Sequence, residues 1–282
     1  MSRVLALAVG DKVPEDDNCW YFYLIMRDIV DIVMAPAVSD ADLNALRVLV
    51  SEYLELHVLL FPNNSLKNKH HHLIHYESLI RRVGPLQRFS CMRFESKHQR
   101  CKKLLHISGN YKNVLKSCAY RHQHDVAFRL LDQQREMCSE VVVGTGSVIT
   151  LSELSDGFEI NKCLSNVGMC FELYDANWLE VKGVRYKPGC TLVAGLDADT
   201  CAPVFLNVEH IIVRDQFIWF IGEKHVGVAF ISHYHAWSVE RCSPREIICM
   251  HHTHITHHVP LIITKVLHCN EEVNMIALRH RV

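Results

Sequence analysis

The chain has 282 residues, with 30 Lys and Arg against 31 Asp and Glu, 49% apolar residues and 22% charged ones. That balance excludes a wholly disordered chain, which needs low hydrophobicity and a large net charge, and a net charge of −1 gives no global attraction to nucleic acid or membrane. The length suits one large domain or two ordinary ones. The odd count is histidine, at 20, which invites a metal or pH-switch reading.

The apolar run after Met1 is too short for the core of a secretory signal. Cys19 to Ala37 is the densest apolar stretch, but Arg27, Asp28 and Asp31 interrupt it, so it predicts a poor membrane span and no membrane partner. Trp20 to Met34 reads as a helix with apolar residues on most faces, stopped before Pro36. Ser39-Asp40-Ala41-Asp42 reads as a helix start, with a candidate N-cap and acids in the first turn. Leu43, Leu46, Leu49, Val50, Tyr53, Leu54 and His57 follow at helical spacing, and Pro62-Asn63-Asn64 ends the run. His71 to Val83 predicts a third helix closed by Gly84-Pro85. Phe89 to His106 and Asn110 to Gln134 predict two more, divided by Ser108-Gly109-Asn110.

The texture changes after about Cys138. Val141–Val143 and Val148–Thr150 flank Gly144-Thr145-Gly146, a spacing that predicts strand, hairpin turn, strand. Strand-like runs recur at Met169–Leu173, Trp178–Val181, Thr191–Ala194, Val204–Val208, His210–Val213, Phe217–Ile221, Val228–His233, Ala236–Val239, Leu261–Val266 and Met275–Leu278. The expected class is α+β: a helical N-terminal region, 1–137, followed by a small β-rich barrel or sandwich, 138–282. The 12 cysteines contain no Cys-x-x-Cys and, with no secretory signal, read as reduced thiols.

The near-zero net charge hides a strong asymmetry. Residues 1–65 hold 4 Lys and Arg against 10 acids, residues 66–125 hold 13 against 3, and the remainder holds 13 against 18. The basic block carries Lys67, Lys69, Arg93, Lys97, Arg100, Lys102, Lys103, Lys112 and Arg121, a helical surface suited either to neutralising phosphates or simply to facing solvent. Glu95 is nearly alone among these cations, which keep it ionised. By spacing it is better suited to pairing with Arg93, Lys97 or Arg100 than to holding a divalent metal.

The block also carries a pattern of identities: Lys67, Lys69, His70, His71, His75, Tyr76, Gly84-Pro85-Leu86, Met92-Arg93-Phe94-Glu95, Lys97-His98, Asn110, Asn113 and Arg121-His122-Gln123. Together these resemble the CACTA (EnSpm-type) DNA transposases of animal transposable elements. Val9 to Trp20, Asp31 to Pro36, Tyr186 to Gly189, Pro203 to Phe205 and His233 to Val239 extend the resemblance over nearly the whole chain. Such transposases carry an RNase H-like domain in which three acids and two divalent metals cut and join DNA. The resemblance implies that Glu95 is the last of those acids and residues 1–137 part of that domain. The first two acids belong on strands further N-terminal, and Asp11, Asp16 and Asp17 match a non-catalytic motif. The expectation is therefore a C-terminal portion of a transposase-like protein that binds nucleic acid or protein without catalysis alone. It needs no cofactor, Mg²⁺ or Mn²⁺ entering only with an intact transposase site. A subunit or fragment of an active metal-dependent transposase, and a non-functional relic, are the alternatives. DNA and protein are the expected partners, and a nuclear location follows from the resemblance alone.

Two further histidine groups stand out. His251, His252, His254, His257 and His258 fall within eight residues. On a strand His252, His254 and His258 would share a face, and on a helix His251, His254 and His258 would, but no acid or thiol completes a metal set, so binding there is expected to be adventitious or absent. His233 and His235 would share one strand face as a half-site, or lie with Trp237 in the core. Gly144-Thr145-Gly146 lacks the third glycine of a dinucleotide loop.

Overall fold

The computed structural model describes residues 4–89, 98–99, 101–103, 105–107, 109, 112–131, 141–164, 168–214, 217–269 and 271–280. It is an α+β fold, with a helical N-terminal region and a β-rich C-terminal region that curls into a half-barrel-like shape.

Helices α1 (Leu5–Val9), α2 (Asn18–Val33) and α3 (Asp40–Leu60) come first. Asp17 caps α2, accepting the Trp20 backbone N–H at 2.7 Å. Ser39 and Asp42 form a reciprocal capping box at the start of α3. The predicted single helix over 71–83 is two, α4 (Asn68–Ile74) and α5 (Tyr76–Val83), broken at His75 and ended by Gly84. A further helix, α6 (Val114–Leu131), follows the segment that includes helical residues 101–103 and 105–107. Ile25, Ile29 and Ile32 of α2 pack with Leu43, Leu46 and Val50 of α3 and Ile80 of α5. Trp20, Arg27 and Asp31, on the opposite side of α2 at 3.6 residues per turn, are buried too. No described helix is long and apolar enough to cross a membrane.

The β-rich region contains strands β1 (Val141–Val143), β2 (Gly146–Thr150), β3 (Glu172–Ala176), β4 (Leu179–Val181), β5 (Val184–Tyr186) and β6 (Thr191–Leu196). It continues with β7 (Pro203–Arg214), β8 (Phe217–Ile231), β9 (Ala236–Arg241), β10 (Ile247–His251), β11 (Thr264–His268) and β12 (Glu271–Ile276), with helix α7 (Gly157–Cys163) after β2. Four predicted runs merge into the two long strands β7 and β8. A bulge in β7 falls between Val208 and His210, and one in β8 between Gly227 and Ala229. Bulges bend a strand without ending it, so the break at Glu209 is a kink and not a turn, while residues 222–227, between the other two runs, are paired strand.

β7 and β8 pair antiparallel from Val204 with Val226 to Arg214 with Phe217. The other edge of β8 bonds β10 through Trp219–Glu223 and then β9 through His225–Ile231. The other edge of β7 likewise bonds β6 near its start and β3 near its end. Changing partners along both edges curls the sheet around Leu206, Ile211 and Phe220, while Phe205, on the other face, packs with Val193 and Val239; none of the first four is accessible. β6 is further tied to Leu261 by reciprocal backbone bonds with Thr191, at 2.9 and 2.8 Å.

The predicted hairpin at Gly144–Gly146 is absent. β1 pairs with β4, and β2 pairs with β3. Gly144 donates to the Trp178 carbonyl and Asn177 to the Thr145 carbonyl, so the segment crosses from the three-stranded sheet β1-β4-β5 into the larger one.

Candidate functional site

The most elaborate polar arrangement lies where α2 meets the β8–β9 turn. Residues 232–234 form a 3-10 turn, and His235 then adopts φ +48°, a left-handed conformation that a non-glycine residue adopts at a cost. His233 and His235 therefore leave the chain in different directions and do not share a strand face. The His233 ring contacts the Gly10 carbonyl at 2.8 Å through Nε2, and the His233 carbonyl accepts the Trp20 indole N–H at 3.0 Å. Tyr234 packs over Gly10, where a Cβ would sit 2.7 Å from the phenol ring. Gly10 is thus required by close approach.

His235 reaches the buried face of α2. Arg27 pairs with Asp31 at 3.0 Å, with side chains 1% and 5% exposed. The His235 Nδ1 lies 3.4 Å from the Arg27 guanidinium and 3.7 Å from Asp31, and its Nε2 lies 3.2 Å from Asp28. Arg27 and Asp31 are one helical turn apart, and each charge would be costly to bury without the other. Pairs of this kind define position more than they add stability.

Next to this network opens a cleft of about 470 Å³, lined by Asp28, Asp31, Phe230, His235 and Trp237, with Leu196, Pro203 and Leu278 among its apolar walls. Phe230 and Trp237 are directly paired across β8 and β9, so both rings project from one face of the sheet. Their centroids are 5.7 Å apart, and Phe230 meets the His235 ring edge-on at 5.4 Å. Cys201, also on the cleft, has φ +55°.

The histidine tract forms neither a helix nor a strand face. His251 closes β10, residues 252–254 make a 3-10 turn, and His257 is buried, stacked on His280 at 3.7 Å. Burial, followed by the neighbouring His280, pushes the His257 pKa down to about 4. No group of three or more His, Cys, Asp or Glu placed to hold a metal occurs among the described residues. His71 and His75 approach to 3.1 Å through their Nε2 atoms, an exposed pair one turn apart that supplies two ligands in a strongly basic segment. Cys163 and Cys249 connect α7 to β10, and burial pushes the Cys249 thiol up to about 11, away from the reactive thiolate.

Of the residues singled out for nucleic-acid contact, Lys67, Lys69, Lys102, Lys103, Lys112 and Arg121 are all exposed. Arg93, Lys97, Arg100 and the candidate acid Glu95 lie outside the described residues. Arg81, within the same block, is engaged by Glu77 and by Asp40 at 2.7 Å, tying α5 to α3. Sequence reasoning missed the Arg27–Asp28–Asp31–His235 group. Its signal was the charged interruption of an otherwise apolar helix, which counts against a membrane span but does not by itself point to a partner 207 residues away. No protein-family model, no curated protein and no solved structure matches the chain.

Proposed function

We propose that the chain is a transposable-element-derived protein, resembling the C-terminal part of a CACTA-type transposase, that binds nucleic acid through its basic helical block and does no chemistry alone. In this reading residues 1–137 are part of an RNase H-like region, and Glu95 is the last acid of a site whose other acids lie elsewhere. The carrying observation is the exposure of the block: no described side chain of α6 is buried, and its Lys116 and Arg121 face solvent beside Lys112. An 18-residue helix gains most of its stability from packing, so one left this open is suited to a partner. Exposed Lys and Arg can neutralise backbone phosphates and release their counterions. Tyr120 and Phe128, 55% and 63% exposed on the same helix, offer rings on which bases stack.

The test is a salt titration of binding to a labelled duplex and to a labelled single strand. Affinity is expected to fall with salt, and Lys102→Glu with Lys103→Glu is expected to weaken binding and reduce the log–log slope by about 2. Affinity that ignores both salt and the charge reversal would overturn the reading. With Mg²⁺ or Mn²⁺ added, the DNA is expected to stay intact. Metal-dependent cleavage abolished by Glu95→Gln would instead make the chain an enzyme.

A further inference from the structure

We propose that the pocket formed where α4 and α5 meet α3 binds the phosphate of a nucleotide, either free or within a nucleic-acid strand. For the strand-borne source the proposal rests on the nucleic-acid reading above, to which it adds a defined seat.

The chain bends at His75, between α4 and α5, and both short helices lie against α3. Leu73 and Tyr76, on either side of the bend, pack against the core that α2, α3 and α5 share. A space of about 570 Å³ opens beside them. That lies within the roughly 300–1,000 Å³ of small-ligand sites.

Three observations point to this ligand. The first is the kind of polar group on the wall. Tyr53, Lys69, His70, His72, His75 and Tyr76 line the pocket, and no carboxylate does so among the described residues. Each of the six carries an N–H or O–H donor, the imidazoles whether neutral or charged. A wall of donors without an acid suits an anion rich in acceptor oxygens, as a phosphate is. The second is the local charge. Residues 66–75 hold two lysines and no acid, and Glu77, the next acid along the chain, is bonded to Arg81. The four histidines of this stretch do not gather into a metal set, since no described group of three or more ligands could hold an ion.

The third is hydrogen-bonding capacity that the fold does not use. The His70 Nδ1 accepts the Lys67 backbone N–H at 3.0 Å, which puts the proton of the neutral ring on Nε2. Burial, followed by His57 and Lys67, lowers the His70 pKa and favours that neutral form. His57, its ring 4.5 Å from that of His70, has a buried Nδ1 with no hydrogen-bond partner among the described residues. A buried ring nitrogen left without a partner is satisfied by an incoming oxygen, directly or through a water.

The rest of the wall favours an ester over the bare ion. Leu73 and Leu79 line the same pocket, and Leu79 is 40% exposed. Inorganic phosphate leaves this surface in water, whereas the sugar and base of a nucleotide cover it.

Isothermal titration of the full chain, in EDTA so that no metal bridges, compares thymidylate, thymidine, inorganic phosphate and a single-stranded oligothymidylate. Thymidylate is expected to bind at least about 10-fold more tightly than thymidine or inorganic phosphate. Leu79→Glu, which sets a carboxylate in the wall at an exposed position, is expected to abolish that binding. Lys69→Gln is expected to weaken it by about 2- to 5-fold. Circular dichroism of both variants matching wild type shows that a loss is not unfolding. Thymidylate no tighter than thymidine or phosphate, or affinity unchanged in Leu79→Glu, would overturn the proposal. An oligonucleotide that binds with the salt dependence and the Lys102 and Lys103 response given above, while thymidylate does not bind, removes the pocket and leaves the nucleic-acid reading standing. Thymidylate binding in the expected order, with the oligonucleotide no tighter, assigns a free nucleotide and removes that reading instead. Oligonucleotide affinity above that of thymidylate and reduced by Leu79→Glu assigns the strand-borne phosphate.

Discussion

Arg27 and Asp31 are among the least accessible charged side chains described, and their value depends on each other. Arg27→Ala leaves a carboxylate buried without its partner and is expected to cost about 3–5 kcal/mol in urea denaturation. Replacing both together, Arg27→Met with Asp31→Leu, removes the desolvation penalty along with the attraction. That variant is expected to stay within about 1 kcal/mol of wild type or to exceed it. A double variant as unstable as Arg27→Ala would show that the pair contributes net stability and does more than fix the seat of His235.

The elements were legible in the sequence where one periodicity governs one buried face. α3 follows its apolar spacing and its capping box from the first residue. α2 was placed almost to the residue, but its two buried sides, one apolar and one charged, could not be assigned without the partners that cover them. The β-rich class was legible from the short alternating runs, and the curl was not. Strand pairing is long-range: the alternation breaks at Glu209 but does not say that the strand continues through a bulge, and Val228, the other bulged residue, lies inside a predicted run. The glycine at 144 shows the same limit, because a turn residue reports a bend and not which strands flank it. Of the candidate sites, the basic block was plain from its charge. The cleft was not, since its residues are scattered along the chain from Asp28 to Leu278, with His280 also in its wall. At this scale Gly222 is the position in β8 with least room for a side chain. A Cβ there would lie 1.9 Å from the Asn207 carbonyl oxygen, which is backbone and cannot swing aside. Gly222→Ala is expected to destabilise by about 3 kcal/mol or more and to shift the β7–β8 register beside the bulge, measured by denaturation and by amide exchange along both strands.

The stability of the whole molecule inherits its histidines. His257 has a folded pKa of about 4 against an ordinary 6.5. The unfolded chain therefore binds the proton more readily, and stability falls as pH drops from about 6.5 towards 4. The loss is of order 3 kcal/mol at about 1.4 kcal/mol per unit. His225 adds to the same slope, its pKa lowered mainly by burial. His210 works the other way: its bond to Asp175, at 2.7 Å, raises its pKa. That contribution is complete below the ordinary histidine value and is lost as pH rises through the raised one. Denaturation midpoints of wild type and His257→Phe between pH 4 and 7.5 are expected to converge at the alkaline end of the acid limb and diverge below pH 6. Parallel curves would mean that the His257 pKa does not change on folding.

The seat of α2 also has a history in time. Its Asp28 meets His235 across 207 residues of chain. A ribosome adding about 5–20 residues per second makes the helix roughly 10–40 s before its counterpart emerges. Through that interval Trp20, Arg27 and Asp31 present a face whose covering does not yet exist. The nascent helix must be held by its apolar side against α3 while its charged side waits in water. Slowing elongation between residues 40 and 235 prolongs this half-clad state, so the yield of soluble protein should depend on the rate of synthesis.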